Sequence, residues 1–453
     1  MKEKLKKILV FLIPIIILST ILFAFFPGIM SYDSENQWNQ VQSGQINNAH
    51  PFLTTYVMYL LSKIWNNPTV VALFQIIVFS LMWGAISLYI FKKNYKKSYI
   101  YNIILCFIPI IFIYAITLWK DILYSYFLLI LSFMLLKGVD KKYDYNIVES
   151  LLIGFFLALT MLYRHNGIIV GILLLIVFIY KLFKFKVKFK KIFVLFLATI
   201  SSFLILNLPK QLFLYEEPVQ NNQASLSTAD SYVIFVLSTF YNNNSITDKK
   251  DLEIMHNIVE EKIWKEYYNP SLINIIVSRP EIDRNYFAEN KKIIYNLLIK
   301  YSIKKPHILI KHYLMADALL YNPYPLSEVY VFPYSEWYPT YGFYGITESK
   351  IPFLQKTLTF ITKITFKLRH ILYRPIYPLA LSILLLFDLY KKKKIKKESF
   401  IIITPMIFNT VSLMPINVAQ DLRYVYINFL TFFFVLLLYI NKQKLNLKIL
   451  KKH

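Results

Sequence analysis

Long uninterrupted apolar runs constrain the fold of this chain more than any other feature. Residues 8–26 and 69–91 are each long enough to cross a hydrocarbon core of about 30 Å as a helix. Helices satisfy their own backbone hydrogen bonds, which lipid cannot do for them. Because 57% of the residues are hydrophobic and 17% are aromatic, the predicted fold class is an all-α polytopic membrane protein.

Ten apolar segments predict about ten transmembrane helices. They are residues 8–26, 69–91, 99–116, 122–136, 147–163, 167–180, 192–208, 371–390, 399–415 and 422–440. Residues 51–65 are also apolar, but they are short and contain Lys63, which favours an interfacial or re-entrant helix. The short segments 147–163 and 167–180 predict a tight hairpin.

The distribution of Lys and Arg predicts the orientation in the membrane. With the N-terminus inside, the predicted cytoplasmic segments carry 28 Lys and Arg, and the short outer loops carry four. The positive-inside rule therefore predicts that both termini are cytoplasmic. The formal charge of +25 also raises the question of nucleic acid. Because the lysines form short clusters between apolar runs, contact with the lipid bilayer explains them, and no nucleic-acid partner is expected.

The composition changes between residues 209 and 355. This stretch carries 14 Lys and Arg against 16 Asp and Glu, which predicts an extracytoplasmic domain of mixed helix and loop. A transmembrane module of seven helices, 1–208, would precede it. An interfacial helix and three transmembrane helices, 356–453, would follow. The Tyr- and Pro-rich run at 321–345 is interpreted either as a surface that stacks sugar rings or as a folded aromatic loop.

Five polar clusters lie at predicted outer helix ends. They are "YDSENQW" (32–38), "AHP" (49–51), "TLWKD" (117–121), "YRHNG" (163–167) and "QDLRY" (420–424). They bring carboxylates, histidines and cations to one side of the membrane. This set suits transfer of a group from a lipid phosphate to an acceptor. A carboxylate takes the proton of the attacking hydroxyl, and cations, with or without a metal, stabilise the leaving phosphate.

The ordered landmarks "YDS…QW", "HP", "WKD", "RHNG" and "RY" resemble the GT-C superfamily of integral-membrane glycosyltransferases. This superfamily includes protein O-mannosyltransferases and lipid A aminoarabinose transferases. The resemblance is closer to a group of uncharacterised bacterial multi-pass membrane proteins, and it covers residues 27–167 and the last two helices. It implies a polyprenyl-phosphate-linked sugar as donor, an extracytoplasmic acceptor, inversion at the anomeric carbon and an acidic base in the first outer loop. Asp33 has that position, but Ser34 separates it from Glu35 where relatives carry adjacent carboxylates, so both remain candidates.

Three cations are candidate contacts of the donor phosphate: Lys120, Arg164 and Arg423. Lys120 has an alternative interpretation, in which its ammonium extends to the membrane interface. Its neighbour Trp119 fits the aromatic belt of a membrane protein. Arg164 lies in the tight hairpin, where an unpaired cation is costly, which favours a phosphate or carboxylate partner.

The supporting candidates come from the same clusters. They are His50, Asp121, His165, Asn166, Asp421 and Tyr424. Asp121 opens a predicted helix, where its carboxylate either stabilises the helix dipole or binds a metal or the acceptor. The two histidines lie in ordinary capping contexts. No HExxH or other tight metal-binding spacing is present in the sequence. No cofactor is therefore assigned, and a divalent metal stays an open alternative.

The preferred interpretation is a GT-C-like glycosyltransferase of the bacterial plasma membrane that acts at its outer face. The abundance of Lys, Ile and Asn is typical of an AT-rich bacterial genome. A flippase or exporter of lipid-linked glycans would carry charges or broken helices near the membrane midplane. Here Glu149 and Asp388 lie near predicted cytoplasmic helix ends. A polysaccharide polymerase or ligase, with an oligosaccharide pyrophosphate donor, would share the outer-face chemistry and stays open.

Overall fold

The structure is a computed structural model that describes residues 2–92, 94–215, 226–323 and 349–450, with backbone only for residues 2 and 444–450. Within these ranges every regular element is a helix, and β-pairing is limited to isolated bridges, which confirms the predicted all-α class there. The described chain forms two units. Residues 2–215, 349–411 and 422–450 belong to the first, and residues 226–323 and 412–421 belong to the second.

The helices are numbered in chain order. The first unit begins with α1 (Lys2–Ala24), α2 (Tyr32–Ser43), α3 (Phe52–Ser62), α4 (Thr69–Ile90), α5 (Tyr95–Cys106), α6 (Pro109–Ala115), α7 (Lys120–Lys141), α8 (Ile147–Tyr163), α9 (Gly167–Lys184) and α10 (Phe189–Phe213). The second unit contains α11 (Thr228–Asn242), α12 (Lys249–Ile258), α13 (Glu261–Glu266), α14 (Asn274–Val277), α15 (Arg284–Glu289), α16 (Lys291–Lys304), α17 (Pro306–Ala316) and α18 (Ala318–Tyr321). The chain continues with α19 (Pro352–Lys367), α20 (Arg369–Leu372), α21 (Ile376–Lys391), α22 (Thr404–Leu413) and α23 (Tyr426–Leu450), and with 3-10 helices at Lys397–Ile403, Met414–Ile416 and Leu422–Val425.

Several helices are long and apolar enough to cross a membrane, as expected of a multi-pass membrane protein. Seven segments pass this test in the described chain, or eight if the bent pair α5–α6 is one span. They are Glu3–Ala24, Thr69–Ile90, Lys120–Lys141, Gly167–Lys184, Phe189–Phe213, Lys397–Ile416 and Leu422–Gln443. With 17 and 16 residues, α8 and α21 are shorter than the usual span of about 20 residues. The predicted count of ten is therefore not confirmed.

The predicted span 99–116 is not one continuous helix. The structure has two helices there, α5 and α6, bent by 78° at residues 107–108. Pro109 opens α6, and a proline ring removes a helical N–H and clashes with the preceding turn, which disfavours continuation of α5 through this position. As a result, α6 is short and buried, and the chain leaves it in an extended segment that leads to α7.

This extended segment pairs with the chain that follows α1. The backbone N–H of Ile29 donates to the Ile116 carbonyl, and the Leu118 N–H donates to the Ile29 carbonyl, both at 2.9 Å. Gly28 precedes this bridge with φ at +115°, and a Cβ there would lie 2.9 Å from Leu118 Cδ1. The position thus requires glycine both for its backbone conformation and for the close approach. The bridge brings the start of α2 beside the start of α7.

Two further local features shape the same end of the helices. Gln37 on α2 donates to the hydroxyls of Thr54 and Thr55 on α3, at 2.8 and 2.9 Å, and so fixes these short helices together. The helix α3 coincides with the segment for which an interfacial or re-entrant helix is predicted, and its relation to lipid stays a prediction. Helices α8 and α9 are joined only by residues 164–166, which matches the predicted hairpin.

The second unit has an apolar core of its own around α11. Phe235, Phe240 and Trp264 are fully buried in it. Most of the run 321–345, which is interpreted as a sugar-stacking surface or an aromatic loop, lies outside the described residues. In α19, Phe353 and Phe360 are exposed between lysines, a pattern typical of a helix on a membrane surface. This is the pattern expected of the interfacial helix that is predicted after the middle domain.

Candidate functional site

Asp33 lies between two cations from distant parts of the chain. It is in the first turn of α2, Lys120 is the first residue of α7, and Arg423 lies in the 3-10 helix before α23. Asp33 Oδ2 lies 2.8 Å from Arg423 Nη1 and 3.8 Å from Lys120 Nζ. The side chain of Asp33 is 31% exposed, whereas both cations are largely buried.

Asp121 forms a second centre of negative charge beside the first. Its side chain is fully buried, with Oδ1 3.0 Å from Arg164 Nε and Oδ2 3.8 Å from Arg423 Nε. Arg164 follows α8, at the start of the hairpin. Because Arg423 contacts both carboxylates, the pairs join into one network of Asp33, Lys120, Asp121, Arg164 and Arg423, which we call the ionic cluster.

Aromatic rings flank the guanidinium groups of the cluster. The Arg423 guanidinium lies 4.8 Å from the ring centre of Trp119 and 5.2 Å from that of Tyr424. The Arg164 guanidinium lies 4.7 Å from the Tyr424 ring. Trp119 is only 5% exposed and donates through Nε1 to Ser31 Oγ at 2.7 Å, so the interpretation of Trp119 as a lipid-facing belt residue is wrong. These rings restrict how far the guanidiniums can move.

His50 extends the ionic cluster towards α3. Its Nδ1 lies 3.2 Å from Lys120 Nζ. Burial, aided by the charge of Lys120, lowers the pKa of His50 to about 3. The ring is therefore neutral near pH 7 and can accept a hydrogen bond from the ammonium. His165 is exposed at the hairpin tip, hydrogen-bonded to the backbone of Ala49, and Asn166 is buried beside it.

The charges of the ionic cluster do not cancel. Three cations face two carboxylates, which leaves a net charge of +1 in a largely buried place. Burial alone would raise the pKa of Asp33, but Lys120 and Arg423 outweigh burial and hold that pKa well below its usual range. Asp33 is thus ionised, Asp121 faces two guanidinium groups, and the excess positive charge favours an anionic ligand.

The second candidate base, Glu35, lies apart from this network. Two residues along a helix correspond to about 200° of rotation, so Glu35 and Asp33 point to different faces of α2. Glu35 is buried, and burial raises its pKa. In the described part of the chain its Oε1 has no hydrogen-bond partner. Asp421 belongs to the second unit, whereas Arg423 and Tyr424 belong to the first.

An apolar cavity lies among the spanning helices of the first unit. It has a volume of about 480 Å³ and is lined by residues of α3, α4, α7, α8 and α10. A much smaller cavity of about 10 Å³ adjoins it and shares Val57, Phe74 and Tyr163 with it. The walls of the smaller cavity include Trp119 and Lys120. Lys120, a member of the ionic cluster, therefore lines a small cavity that shares walls with the large apolar one.

Sequence reasoning missed one polar residue beside the cluster. Asn409 on α22 is fully buried and donates from Nδ2 to the Tyr424 carbonyl at 2.9 Å, the same carbonyl that Arg164 Nη1 reaches at 3.4 Å. An amide within a predicted span is the signal that could have found it. Among the described residues, no three His, Cys, Asp or Glu side chains form a group that could hold a metal ion.

Comparison with protein-family models, with curated proteins and with solved structures gave no match. The first unit is therefore characterised by its own structure alone. It is a helical membrane protein with a buried, net-positive ionic cluster at the ends of its helices. An apolar cavity lies beside a smaller one that Lys120 of this cluster lines. These two features are the basis for assigning a function.

Proposed function

We propose that this chain is a GT-C-like, inverting glycosyltransferase that moves a sugar from a polyprenyl-phosphate donor to an extracytoplasmic acceptor. One observation carries the proposal: Lys120 of the ionic cluster lines a small cavity that shares walls with a large apolar cavity among the helices. A lipid chain fits the apolar part and a phosphate fits the cationic part. A neutral apolar ligand could fill the cavity, but it would not account for the three buried cations beside it.

In the proposed reaction, a hydroxyl oxygen of the acceptor attacks the anomeric carbon of the donor. A new carbon–oxygen bond forms, and the bond between the anomeric carbon and the phosphate oxygen breaks. The lipid phosphate leaves with the electron pair of that bond, and Asp33 accepts the hydroxyl proton as general base. Lys120, Arg164 and Arg423 stabilise the negative charge that develops on the leaving phosphate.

The net charge of the cluster supports these roles. A sugar-linked lipid phosphate is a diester with one negative charge, which balances the cluster's net charge of +1. When Asp33 takes the proton, the cluster's charge becomes +2, while the released phosphate monoester approaches a charge of −2. Charge balance is thus kept within a buried site throughout the reaction, which avoids an uncompensated charge at low dielectric.

The finer topology is part of the same proposal. The chain crosses a bacterial plasma membrane ten times if α5–α6, α8 and α21 cross in addition to the seven longer spans. Both termini are then cytoplasmic and the ionic cluster faces outside. This arrangement agrees with the excess of Lys and Arg in the segments assigned to the cytoplasm.

The charged groups elsewhere in the spans favour an enzyme over a flippase. Glu149 lies in the first turn of α8 and pairs with Lys137 and Lys141 at 2.6 and 2.7 Å. Asp388 lies near the end of α21 and pairs with Lys392 at 2.7 Å. Both sites sit at helix ends, whereas a transport pathway calls for polar groups near the membrane midplane.

Mass spectrometry of lipid-linked sugars tests the proposal. Cells that lack the gene should accumulate a polyprenyl monophosphate sugar, which the wild-type gene clears. Asp33→Asn should fail to clear it, because an amide cannot accept the hydroxyl proton. Glu35→Gln, which alters the nearby carboxylate outside the ionic cluster, should clear it.

Two results would redirect the assignment. Accumulation of pyrophosphate-linked oligosaccharides would favour the polymerase, ligase or flippase alternatives. If Asp33→Asn clears the lipid-linked sugar fully, Asp33 is not the base. If Arg423→Gln also clears it fully, the ionic cluster is not the active site.

A further inference from the structure

The two carboxylates of the ionic cluster differ in how they are held. Asp121 is fully buried and contacts the Nε atoms of Arg164 and Arg423. Asp33 is 31% exposed, and its Oδ2 contacts the terminal nitrogens Arg423 Nη1 and Lys120 Nζ. One oxygen between two cations is also how a phosphate oxygen binds. Asp121 is therefore the fixed partner, and Asp33 the exchangeable one.

A cation that Asp33 contacts lies beside the apolar cavity. Lys120 lines the small cavity that shares walls with the large one. A lipid with its chain in the large cavity would therefore have its phosphate on the side of Lys120. The three cations cannot keep their present contacts with Asp33 and Asp121 and also bind a phosphate equally closely. One carboxylate has to give way, and the more exposed one has the smaller desolvation barrier to doing so.

We propose that Asp33 and the phosphate of the lipid substrate compete for Lys120 and Arg423, so that Asp33 occupies the phosphate subsite when the site is empty. This inference rests on the proposed function and assigns the phosphate subsite within it. Binding of the phosphate moves Asp33 away from the two cations. A carboxylate that loses cationic partners becomes more basic, so donor binding turns Asp33 into a better acceptor of the hydroxyl proton.

The test measures binding of polyprenyl monophosphate, which carries no sugar to transfer, to the full chain in nanodiscs. Neutral polyprenol is the reference ligand. We expect Asp33→Asn to bind the phosphate about tenfold more tightly than wild type, equivalent to about 1.4 kcal/mol, with no change for polyprenol. Asp33→Glu, which keeps the competing charge, and Glu35→Gln, outside the ionic cluster, should not bind more tightly.

A double-mutant cycle separates competition from general repulsion between negative charges. If Asp33 competes for Arg423, most of the gain from Asp33→Asn should vanish in an Arg423→Gln background. An equal gain in that background, or no gain in the single variant, would overturn the competition. A different result would overturn the phosphate site itself, and the proposed function with it. In that result, wild type and Asp33→Asn each bind polyprenol with the same affinity as polyprenyl monophosphate.

Discussion

Replacing Asp121 by Asn should destabilise the protein much more than replacing Asp33 by Asn. Asp121 is fully buried between Arg164 and Arg423, whose side chains are only 10% and 11% exposed. Removing one partner of a buried ion pair typically costs about 3–5 kcal/mol, because the remaining charge stays buried without compensation. Arg423 keeps Asp33 as a partner, so we expect a loss near the lower limit, about 3 kcal/mol. Asp33 is 31% exposed, and its loss should cost about 1 kcal/mol or less.

Thermal unfolding in nanodiscs, at one fixed scan rate, compares the two variants under equal conditions. A fixed rate is needed because large membrane proteins often unfold irreversibly. The Tm should fall clearly for Asp121→Asn and little for Asp33→Asn. Adding Arg164→Gln to Asp121→Asn should cost less than the sum of the single changes, because the partners are removed together. Equal losses of Tm for both carboxylate variants would refute the assignment of Asp121 as the structural partner of the arginines.

Three further predictions test the bridge, the cavity and the second unit. Gly28→Ala should lower the Tm and the yield of folded protein, because its Cβ would lie 2.9 Å from Leu118 Cδ1 at a φ of +115°. Ala85→Phe, at the wall of the large cavity, should weaken binding of polyprenyl monophosphate with little change of Tm, which a binding titration and a melt would show together. Burial raises the pKa of Asp317 to about 7, so the folded protein binds a proton that the unfolded chain has released. The free energy of unfolding therefore decreases as the pH rises from about 4 to 7. Asp317→Asn should therefore raise the Tm relative to wild type at pH 8 more than at pH 4.

The fold class could be predicted because lipid leaves few alternatives for a long apolar run, but the local course of the chain could not. Pro14 lies within α1 and Pro209 within α10, and both helices continue through them. Pro109, in an equally apolar run, separates α5 from α6 with a bend of 78°. Whether a proline bends or breaks a helix depends on the side chains and carbonyls packed around it. That information is absent from a hydropathy pattern.

The residues of the site could be gathered from the sequence, but their pairing could not. Lysine counts alone suggested that Asp33, Lys120, Arg164 and Arg423 share one end of the helices, and the structure joins all four in the ionic cluster. The sequence left open which carboxylate belongs there, because the choice depends on the direction in which each residue of α2 points. The contact of Trp119 with a guanidinium depends on a helix near the other end of the chain.

The two carboxylates of the cluster show how burial alone can divide one kind of side chain between two tasks. Asp121 is the fully buried one, and an ion removed from water in this way is stabilising only while its partners stay in place. It therefore suits a permanent contact that orients Arg164 and Arg423. Asp33 keeps partial access to water, so it can leave its cations at a moderate cost. The base of the proposed reaction would need this property, since it would have to be held in place, yet be free to take a proton when the phosphate neutralises the cations.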